Sequence, residues 1–289
     1  MSVVTPADRR AGIAWGLVGV TAFAVTLPAM RVAVASLDPV FVGLGRAVVA
    51  AALAAIALAV TRTPWPARSL WPRLAVVALG VVVGFPLLTA WAMRYVPSSH
   101  GAVVVGLLPL ATAVAGAWLA HERPSARFWL CAVAGSAVVV GFALWQGSGA
   151  LHVADLLLIG AVAAAAIGYA EGARLTRLLG GWQVISWALV LSAPILVVPT
   201  WLAAEGAASA PWQAWLAFLY VAVVSMYLGF FAWYRALAQG GIAAVGQVQL
   251  LQPFLTFAFA ALFLGERLEA SMLVAAALVV AIIALGRRG

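Results

Sequence analysis

The sequence has no lysine, a single cysteine and very few charged residues. Only 8% of its 289 residues are charged and 66% are hydrophobic, whereas about a quarter of the residues in a soluble domain are charged. This scarcity of charge excludes a soluble globular protein. The lone cysteine, Cys131, excludes a disulfide bond within the chain, so the cysteine content says nothing about the redox compartment.

Motifs of catalysis and nucleotide binding are absent as well. The chain contains no HExxH, no Cys/His cluster, no Walker loop and no GxSxG, each of which marks a distinct chemistry. Their absence excludes ATP-driven pumping by this chain and leaves a membrane enzyme as a secondary hypothesis. We therefore expect no enzymatic activity, no cofactor and no metal site.

Long apolar runs fill most of the chain. A bilayer core about 30 Å thick needs about 20 apolar residues per helix, and segments rich in Gly, Pro and Ser separate the runs. The sequence predicts an all-α integral membrane protein with ten transmembrane helices. The predicted bounds are 12–34, 39–60, 73–94, 100–120, 126–145, 152–173, 183–203, 213–235, 243–264 and 270–286.

All 16 basic residues are arginines. They are scattered between the apolar runs without forming a basic stripe, which argues against nucleic-acid binding. Most of them lie in connections on one side of the predicted bundle, as the positive-inside rule requires of cytoplasmic loops. This distribution predicts that both termini are cytoplasmic. The exceptions are Arg31, Arg46, Arg94 and Arg267.

Two segments half a chain apart have similar patterns. Residues 106–126 read GLLPLATAVAGAWLAHERPSA, and residues 250–270 read LLQPFLTFAFAALFLGERLEA. Pro253 follows Pro109 by 144 residues, and a Glu-Arg pair near the end of each segment repeats at the same offset. The chain therefore contains an internal repeat.

The repeat is expected to be inverted. Each half contains five predicted spans, and because five is odd, the second half enters the membrane from the opposite side. The sequence thus predicts two inverted five-helix repeats, residues 1–147 and 148–289. Inverted repeats are typical of many secondary transporters, although channels and some membrane enzymes also contain repeats.

These residues resemble a known family. The proline in the middle of span four and the Glu-Arg at its end, both repeated in span nine, resemble the EamA family of the drug/metabolite transporter superfamily. Two further stretches resemble sequences of members of that family. They are GLGRAVVAAAL in span two and GYAEGARLTRLLGGWQVISW from Gly168 to Trp187. The resemblance covers the whole chain and implies a ten-helix inner-membrane carrier with a central cavity. In amino-acid exporters of the family it implies a cavity between helices one, three, four and six and their inverted counterparts.

Three glutamines occupy the ninth predicted span, Gln247, Gln249 and Gln252. At about 100° per residue, Gln249 and Gln252 share one helix face. A buried amide without partners is costly in hydrocarbon, and Pro253 frees a backbone carbonyl near Gln249. We interpret the glutamines as substrate-binding candidates, with interhelical hydrogen bonding as the alternative.

Four prolines within spans are candidate hinges, because a proline breaks or kinks a helix. Pro109 and Pro253 are repeat partners, whereas Pro28 and Pro86 have none. A packing kink without a ligand role is the alternative for each.

Aromatic residues and one histidine complete the substrate-binding candidates. Tyr95 and His100 lie near the outer ends of spans three and four, Tyr169 lies in the inner third of span six, and Trp187 ends the family-like stretch. Tyrosine and tryptophan suit amphipathic solutes, and histidine titrates near neutral pH. The alternative is anchoring at the membrane interface.

Three charged residues within or near the spans are gating or ion-pair candidates. Glu171 could pair with Arg174 at i,i+3 and close the cytoplasmic side, or the two could be an interfacial pair. Arg46 lies inside span two and needs a partner, for which a backbone carbonyl or Asp38 is available. Its role is structural, or it binds a substrate carboxylate.

The sequence therefore predicts a secondary transporter of small organic solutes in the cell inner membrane. The expected activity is export of amino acids, aromatic or otherwise amphipathic, by alternating access as a facilitator. The alternative is an exporter of drugs or other amphipathic metabolites, with proton coupling as a variant. Its expected partners are a small-molecule substrate and the lipid bilayer, and the expected state is a monomer, with a dimer as the alternative.

Overall fold

The computed structural model describes residues 6–120, 126–146, 152–240 and 248–286, and the regular structure in these ranges is helical. The first half contains π-helical residues at Ala78–Gly84 between α4 and α5. Its α-helices are α1 (Pro6–Ala24), α2 (Thr26–Val34), α3 (Pro39–Val60), α4 (Trp71–Val77), α5 (Phe85–Ala92), α6 (Ser98–Val105), α7 (Leu108–Ala120) and α8 (Ala126–Gln146).

The second half is also helical among the described residues. A π-helical segment, Tyr220–Leu228, lies between α11 and α12, and a 3₁₀ turn, Gln249–Leu251, precedes α13. The helices are α9 (Val153–Leu179), α10 (Gly181–Leu202), α11 (Trp212–Leu219), α12 (Gly229–Gly240), α13 (Gln252–Leu264) and α14 (Ala270–Gly286).

Seven helical stretches among the described residues are long and apolar enough to cross a membrane. They are Ala11–Val34, Pro39–Val60, Arg68–Ala92, Ser98–Leu119, Val153–Leu179, Gly181–Leu202 and Trp212–Ala236. Three shorter apolar helices, Val133–Phe142, Gln249–Leu264 and Ala270–Ile282, fall in the remaining predicted spans. The chain is thus a multi-pass membrane protein.

Large apolar side chains cover the outside of the bundle. Trp118, Trp145, Trp201 and Leu262 are each more than 70% exposed. A soluble monomer rarely exposes this much apolar surface, but such a surface is suited to lipid.

The two halves interleave instead of forming separate bundles. Helix α1 packs on α12, α3 packs on α10, and α9 packs on both α5 and α7. The crossing near Gly80 is especially close, since a Cβ on this residue would lie 2.8 Å from the Cα of Gly168. The glycines at 80 and 168 thus permit close packing between two helices of one chain.

Prolines and caps explain several helix boundaries. Asp38 caps α3, its carboxylate accepting from the backbone amides of Val40 at 2.7 Å and Phe41 at 3.4 Å, and Pro39 fits the first helical turn. Helices α1 and α2 are separated at Val25, because Pro28 cannot donate to the carbonyl of Ala24.

The helix interruptions follow the repeat. In the first half the helix breaks between α6 and α7, just before Pro109, and in the second half a 3₁₀ turn ends just before Pro253. The π-helical segments 78–84 and 220–228 also overlap when the first is shifted by 144 residues. The repeat is therefore visible in the backbone as well as in the sequence.

Candidate functional site

A small cavity lies at the centre of the bundle, between the two halves. Its polar lining comes from Thr26, Arg46, Tyr169, Ser225 and Gln252. Its apolar lining includes three phenylalanines, Phe23, Phe85 and Phe230. The cavity measures about 20 Å³, which is room for roughly one water molecule. A solute can enter only if the surrounding helices separate.

A second cavity of about 10 Å³ adjoins the first, and the two share Leu27 and Gln252 as lining residues. Pro109, Pro253 and Gln249 line it as well. We call the two cavities together the central chamber. The repeat-related helix breaks meet here, and a Cβ on Gly106 would lie 3.2 Å from Cγ of Pro253.

The lining residues of the central chamber come in pairs related by the repeat. Ser225 follows Val81 by 144 residues, and Gln252 follows Leu108 by the same offset. Tyr169 follows Thr26 by 143 residues. Both halves therefore contribute equivalent backbone positions, but in each of these three pairs the side chains differ.

Arg46 is buried in α3, with 2% of its surface exposed. Its Nη2 donates to Ser225 Oγ at 3.3 Å and lies 3.9 Å from Met226 Sδ, whereas Nε and Nη1 have no partner among the described residues. Among the described residues Arg46 contacts neither of the partners named from the sequence, since Asp38 caps α3 and no hydrogen bond joins Arg46 to a backbone carbonyl there. The guanidinium instead contacts the π-helical segment of the other half.

Hydroxyl groups connect the broken first span to the second half. Thr26 Oγ1 and Ser225 Oγ lie 2.8 Å apart. Thr256 donates to the carbonyl of Ala24 at 3.0 Å, which is the carbonyl that Pro28 leaves without a donor. Tyr220 donates to the carbonyl of Ala22 at 3.0 Å. The break near Pro28 is thus stabilised by side chains that point at its free carbonyls.

Glu266 forms a cap at the predicted outer end of the bundle. Its carboxylate accepts from the backbone amide and hydroxyl of Ser98, at 2.9 and 2.8 Å, and from the amide of Ser99 at 2.9 Å. We call this contact, which joins the loop before α14 to the start of α6, the outer cap. Burial alone would raise the pKa of Glu266, but hydrogen bonds from Ser99 and Ser98 outweigh it and lower the pKa below its ordinary value.

His100 and Asp155 join the two halves at the same end. His100 Nε2 lies 2.6 Å from Asp155 Oδ1, and both side chains are buried. The second carboxylate oxygen of Asp155 accepts from the backbone amide of His152 at 2.9 Å. His100 therefore lies between helices, and it is not among the residues that line the central chamber.

An ion cluster joins the halves at the predicted cytoplasmic end. Glu171 is buried, pairs with Arg174 at 2.9 Å, and pairs through its other oxygen with Arg73 of α4. We call these three residues the inner ion cluster. Arg73 lies 98 residues before Glu171, so no local spacing in the sequence could have indicated it.

The sequence-derived candidates fall into different places. Gln249, Gln252, Tyr169, Pro109 and Pro253 line the central chamber.

The other candidates lie away from it. Tyr95 is 53% exposed, with its ring 6.4 Å from that of His152. Trp187 is buried against Trp65, their ring centroids 4.6 Å apart. Pro86 follows the first π-helical segment, and Gln247 lies outside the described residues.

Sequence reasoning missed several lining residues of the central chamber. Thr26, Ser225 and the three phenylalanines have no unusual local pattern. The repeat offset could have found one of them, since it relates Thr26 to the candidate Tyr169. The aromatic residues carried no such signal, because apolar side chains are abundant throughout the chain.

Within the described ranges, no group of three His, Cys, Asp or Glu side chains is arranged to hold a metal ion. The groups of the central chamber that can interact with a solute are therefore its hydrogen-bond donors and its aromatic faces. This arrangement is suited to binding a solute.

Comparisons with known proteins identify relatives over nearly the full chain. A protein of Bacillus subtilis (strain 168) named "Uncharacterized transporter YdeK" is 46% identical over 274 residues, which cover 94% of this chain and 96% of the relative. A crystal structure of another protein matches with a TM-score of 0.63 at 16% identity, over 96% of each chain. That second likeness shows the fold alone.

The internal repeat is found in the family comparison as well. The EamA-like transporter family matches the chain twice, over residues 10–144 and again over residues 152–286. These two matches confirm the resemblance drawn from the proline and Glu-Arg pattern. The chain belongs to the EamA-like transporter family.

Proposed function

We propose that the protein exports small organic solutes, amino acids above all, by alternating access. In this proposal ten helices span the cell inner membrane as two inverted five-helix repeats, with both termini in the cytoplasm and the monomer as the working unit. The single observation that carries it is the central chamber, where repeat-related breaks meet and each half contributes equivalent positions. Two similar halves can exchange conformations, which would open the chamber to each side in turn.

The lining of the central chamber supports an amphipathic substrate. Phe23, Phe85 and Phe230 offer apolar contact, while Gln249 and Gln252 offer amide groups. Aromatic or other amphipathic amino acids match this combination of an apolar body and polar ends.

The inner ion cluster and the contacts at the outer end support gating. Each joins residues of opposite halves, so each must change if the halves move against one another. Glu171 with Arg174 and Arg73 would close the cytoplasmic side, and His100 with Asp155 would close the outer side.

A facilitator mechanism is proposed because no carboxylate is found among the residues that line the central chamber in the described ranges. Proton coupling usually relies on an ionisable residue in the membrane. Two carboxylates are buried in helices of the described ranges, those of Asp155 and Glu171, and each has a basic partner.

Reconstituted liposomes test the proposal. Protein in liposomes with equal pH on both sides is expected to exchange labelled aromatic amino acids, and ionophores should not stimulate the flux. Strict dependence on a proton gradient, abolished in Glu171→Gln, would show that the carrier is proton-coupled. Lack of flux for every amino acid in the panel would contradict the proposed substrate class.

The three phenylalanines favour one alternative, an exporter of drugs or other amphipathic metabolites. The two functions can be distinguished in cells that express the protein. Growth protection against lipophilic compounds without amino-acid flux in liposomes would support the alternative.

A further inference from the structure

Arg46 is a buried cation whose charge is not balanced by any acidic group in the structure as described. Its side chain is 2% exposed, and no carboxylate lies within ion-pair distance among the described residues. Nε and Nη1 together carry three N–H groups, and neither atom has a hydrogen-bond partner there. Burying an unpaired charge is costly unless a partner compensates for it.

Three acidic residues of the bundle are already engaged. Glu171 pairs with Arg73 and Arg174, and Asp155 pairs with His100. Asp38 caps α3. A rearrangement of side chains alone would therefore supply no counter-ion to Arg46 without breaking another contact.

The position of Arg46 points to a ligand instead. It lines the central chamber, and a contact to Ser225, itself 2.8 Å from Thr26, orients the guanidinium at the wall. Gln249 lines the adjoining cavity, and its side-chain amide nitrogen also lacks a partner among the described residues. The Arg46 guanidinium and the Gln249 amide nitrogen are both hydrogen-bond donors, so a solute in the central chamber would meet residues with unpaired N–H groups.

We propose that Arg46 binds the carboxylate of the transported solute, and that an amino group on the solute is not required. The inference rests on the proposed function as a carrier of small organic solutes and names the chemistry of its site. No carboxylate among the described lining residues is available for an ammonium group, whereas guanidinium groups recognise carboxylates strongly. The substrate class is therefore a monocarboxylate on an apolar or aromatic body, to which amino acids belong through their carboxylate.

Binding to the purified protein in detergent at neutral pH tests the inference without requiring transport. The ligands are L-phenylalanine, 3-phenylpropionate, its uncharged amide 3-phenylpropanamide, and phenethylamine, with affinity measured by calorimetry. Both carboxylates are expected to bind, and the amide and the amine are expected to bind at least about 30-fold more weakly, as for loss of one partner of a buried charge pair. Equal binding of 3-phenylpropanamide, or no binding of either carboxylate, would overturn the inference.

Variants of Arg46 separate binding from folding. Arg46→Met should lose affinity for both carboxylates while melting at the same or a higher temperature, because it removes an unpaired buried charge. Arg46→Lys should retain weaker binding, since the charge remains but the planar fork is lost. Carboxylate affinity unchanged in Arg46→Met would overturn the inference.

The proposed function has a separate outcome. If Arg46→Met still exchanges amino acids in liposomes, the function stands and the role of Arg46 is wrong. If wild-type protein binds 3-phenylpropionate through Arg46 but exchanges no amino acid, the carboxylate site stands and amino-acid export is wrong.

Discussion

The two halves of the chain have several backbone features in common but differ in the side chains at equivalent positions. Both have a helix break before an equivalent proline and a π-helical segment at an equivalent place. In the central chamber, however, Val81 of the first half corresponds to Ser225 of the second, and Leu108 corresponds to Gln252. The repeat thus preserves the helix break before the paired prolines and the π-helical segment, while these lining side chains of the central chamber have diverged.

Arg46 shows the same divergence most clearly. A shift of 144 residues from Arg46 leads to Val190, and a shift of 143 leads to Leu189, both apolar. The first half supplies the cation, and the second half supplies Ser225, which orients it. Under the proposed function, a repeated scaffold would let the halves exchange conformations, and an asymmetric lining would give the solute one orientation.

The hydroxyl of Ser225 provides the test with the largest expected effect. Ser225→Ala removes the acceptor of Arg46 and the partner of Thr26. An unsatisfied buried donor costs about 1–3 kcal/mol, so solute affinity should fall by about 5- to 150-fold. Val81→Ser, the matched change in the first half, should lower affinity by less than Ser225→Ala does, because the valine it replaces makes no hydrogen bond that would be lost.

A double variant sharpens this comparison. Val81→Ser combined with Ser225→Ala moves the hydroxyl to the equivalent position of the other half. The affinity for the solute should stay as low as in Ser225→Ala, because the second half has no arginine at the position equivalent to Arg46. Recovery of wild-type affinity in a binding titration would show that the lining is functionally symmetric.

The paired prolines test whether the shared backbone breaks act alike. Pro109→Ala and Pro253→Ala each restore a backbone N–H donor to the helix. A hydrogen bond made by this donor in one conformation would stabilise that conformation by about 1.4 kcal/mol and slow turnover about tenfold. We expect equal slowing in both variants, with solute affinity unchanged. Liposome exchange rates measure the effect, and Pro199→Ala, in the interior of α10 and outside the lining of the central chamber, is the control. Slowing in one variant alone would show that the halves do not move as equivalents.

The outer cap should give the smallest effect, on stability and its pH dependence. Glu266→Gln weakens the cap of α6, and loss of a cap costs about 1 kcal/mol, which corresponds to a fall of a few degrees in melting temperature. The folded-state pKa of Glu266 is below its ordinary value of 4.5, so its stabilising contribution is present above that pH. This contribution is lost as the pH falls through the folded-state pKa.

Melting curves at neutral and acidic pH check this expectation. The difference between wild type and Glu266→Gln should shrink as the pH falls below about 4.5, and Glu205→Gln, with no such cap, should show no difference. Glu122 is the repeat partner of Glu266 and lies outside the described residues. An equal shift of the melting temperature in Glu122→Gln would show that both halves have such a cap, and no shift would show that only the second half has it.

Much of the fold could be predicted from the sequence because its signals are local. Apolar runs of about 20 residues predict helices that cross a bilayer, and a proline predicts a break wherever it occurs. The repeat offset related Pro109 to Pro253, and both lie in the central chamber. The π-helical segments were not predicted, because no residue pattern specifies a widened turn.

The candidate site was predicted in part, for the same reason. The face shared by Gln249 and Gln252 follows from helical periodicity, and both glutamines line the central chamber. Tyr95 and Trp187 were placed among the substrate candidates by residue type and position in the sequence. In the structure Tyr95 is exposed and Trp187 is packed against Trp65.

The sequence by itself determined that this is a multi-pass helical membrane protein with an internal repeat, because hydrophobic run length and repeat offset are properties of the chain alone. Only the tertiary structure decided the partners of the charged residues. Arg46 and Ser225 are 179 residues apart, and Arg73 and Glu171 are 98 apart. Such contacts depend on how helices of opposite halves pack, and a linear pattern contains no information on which buried charge is left without a counter-ion.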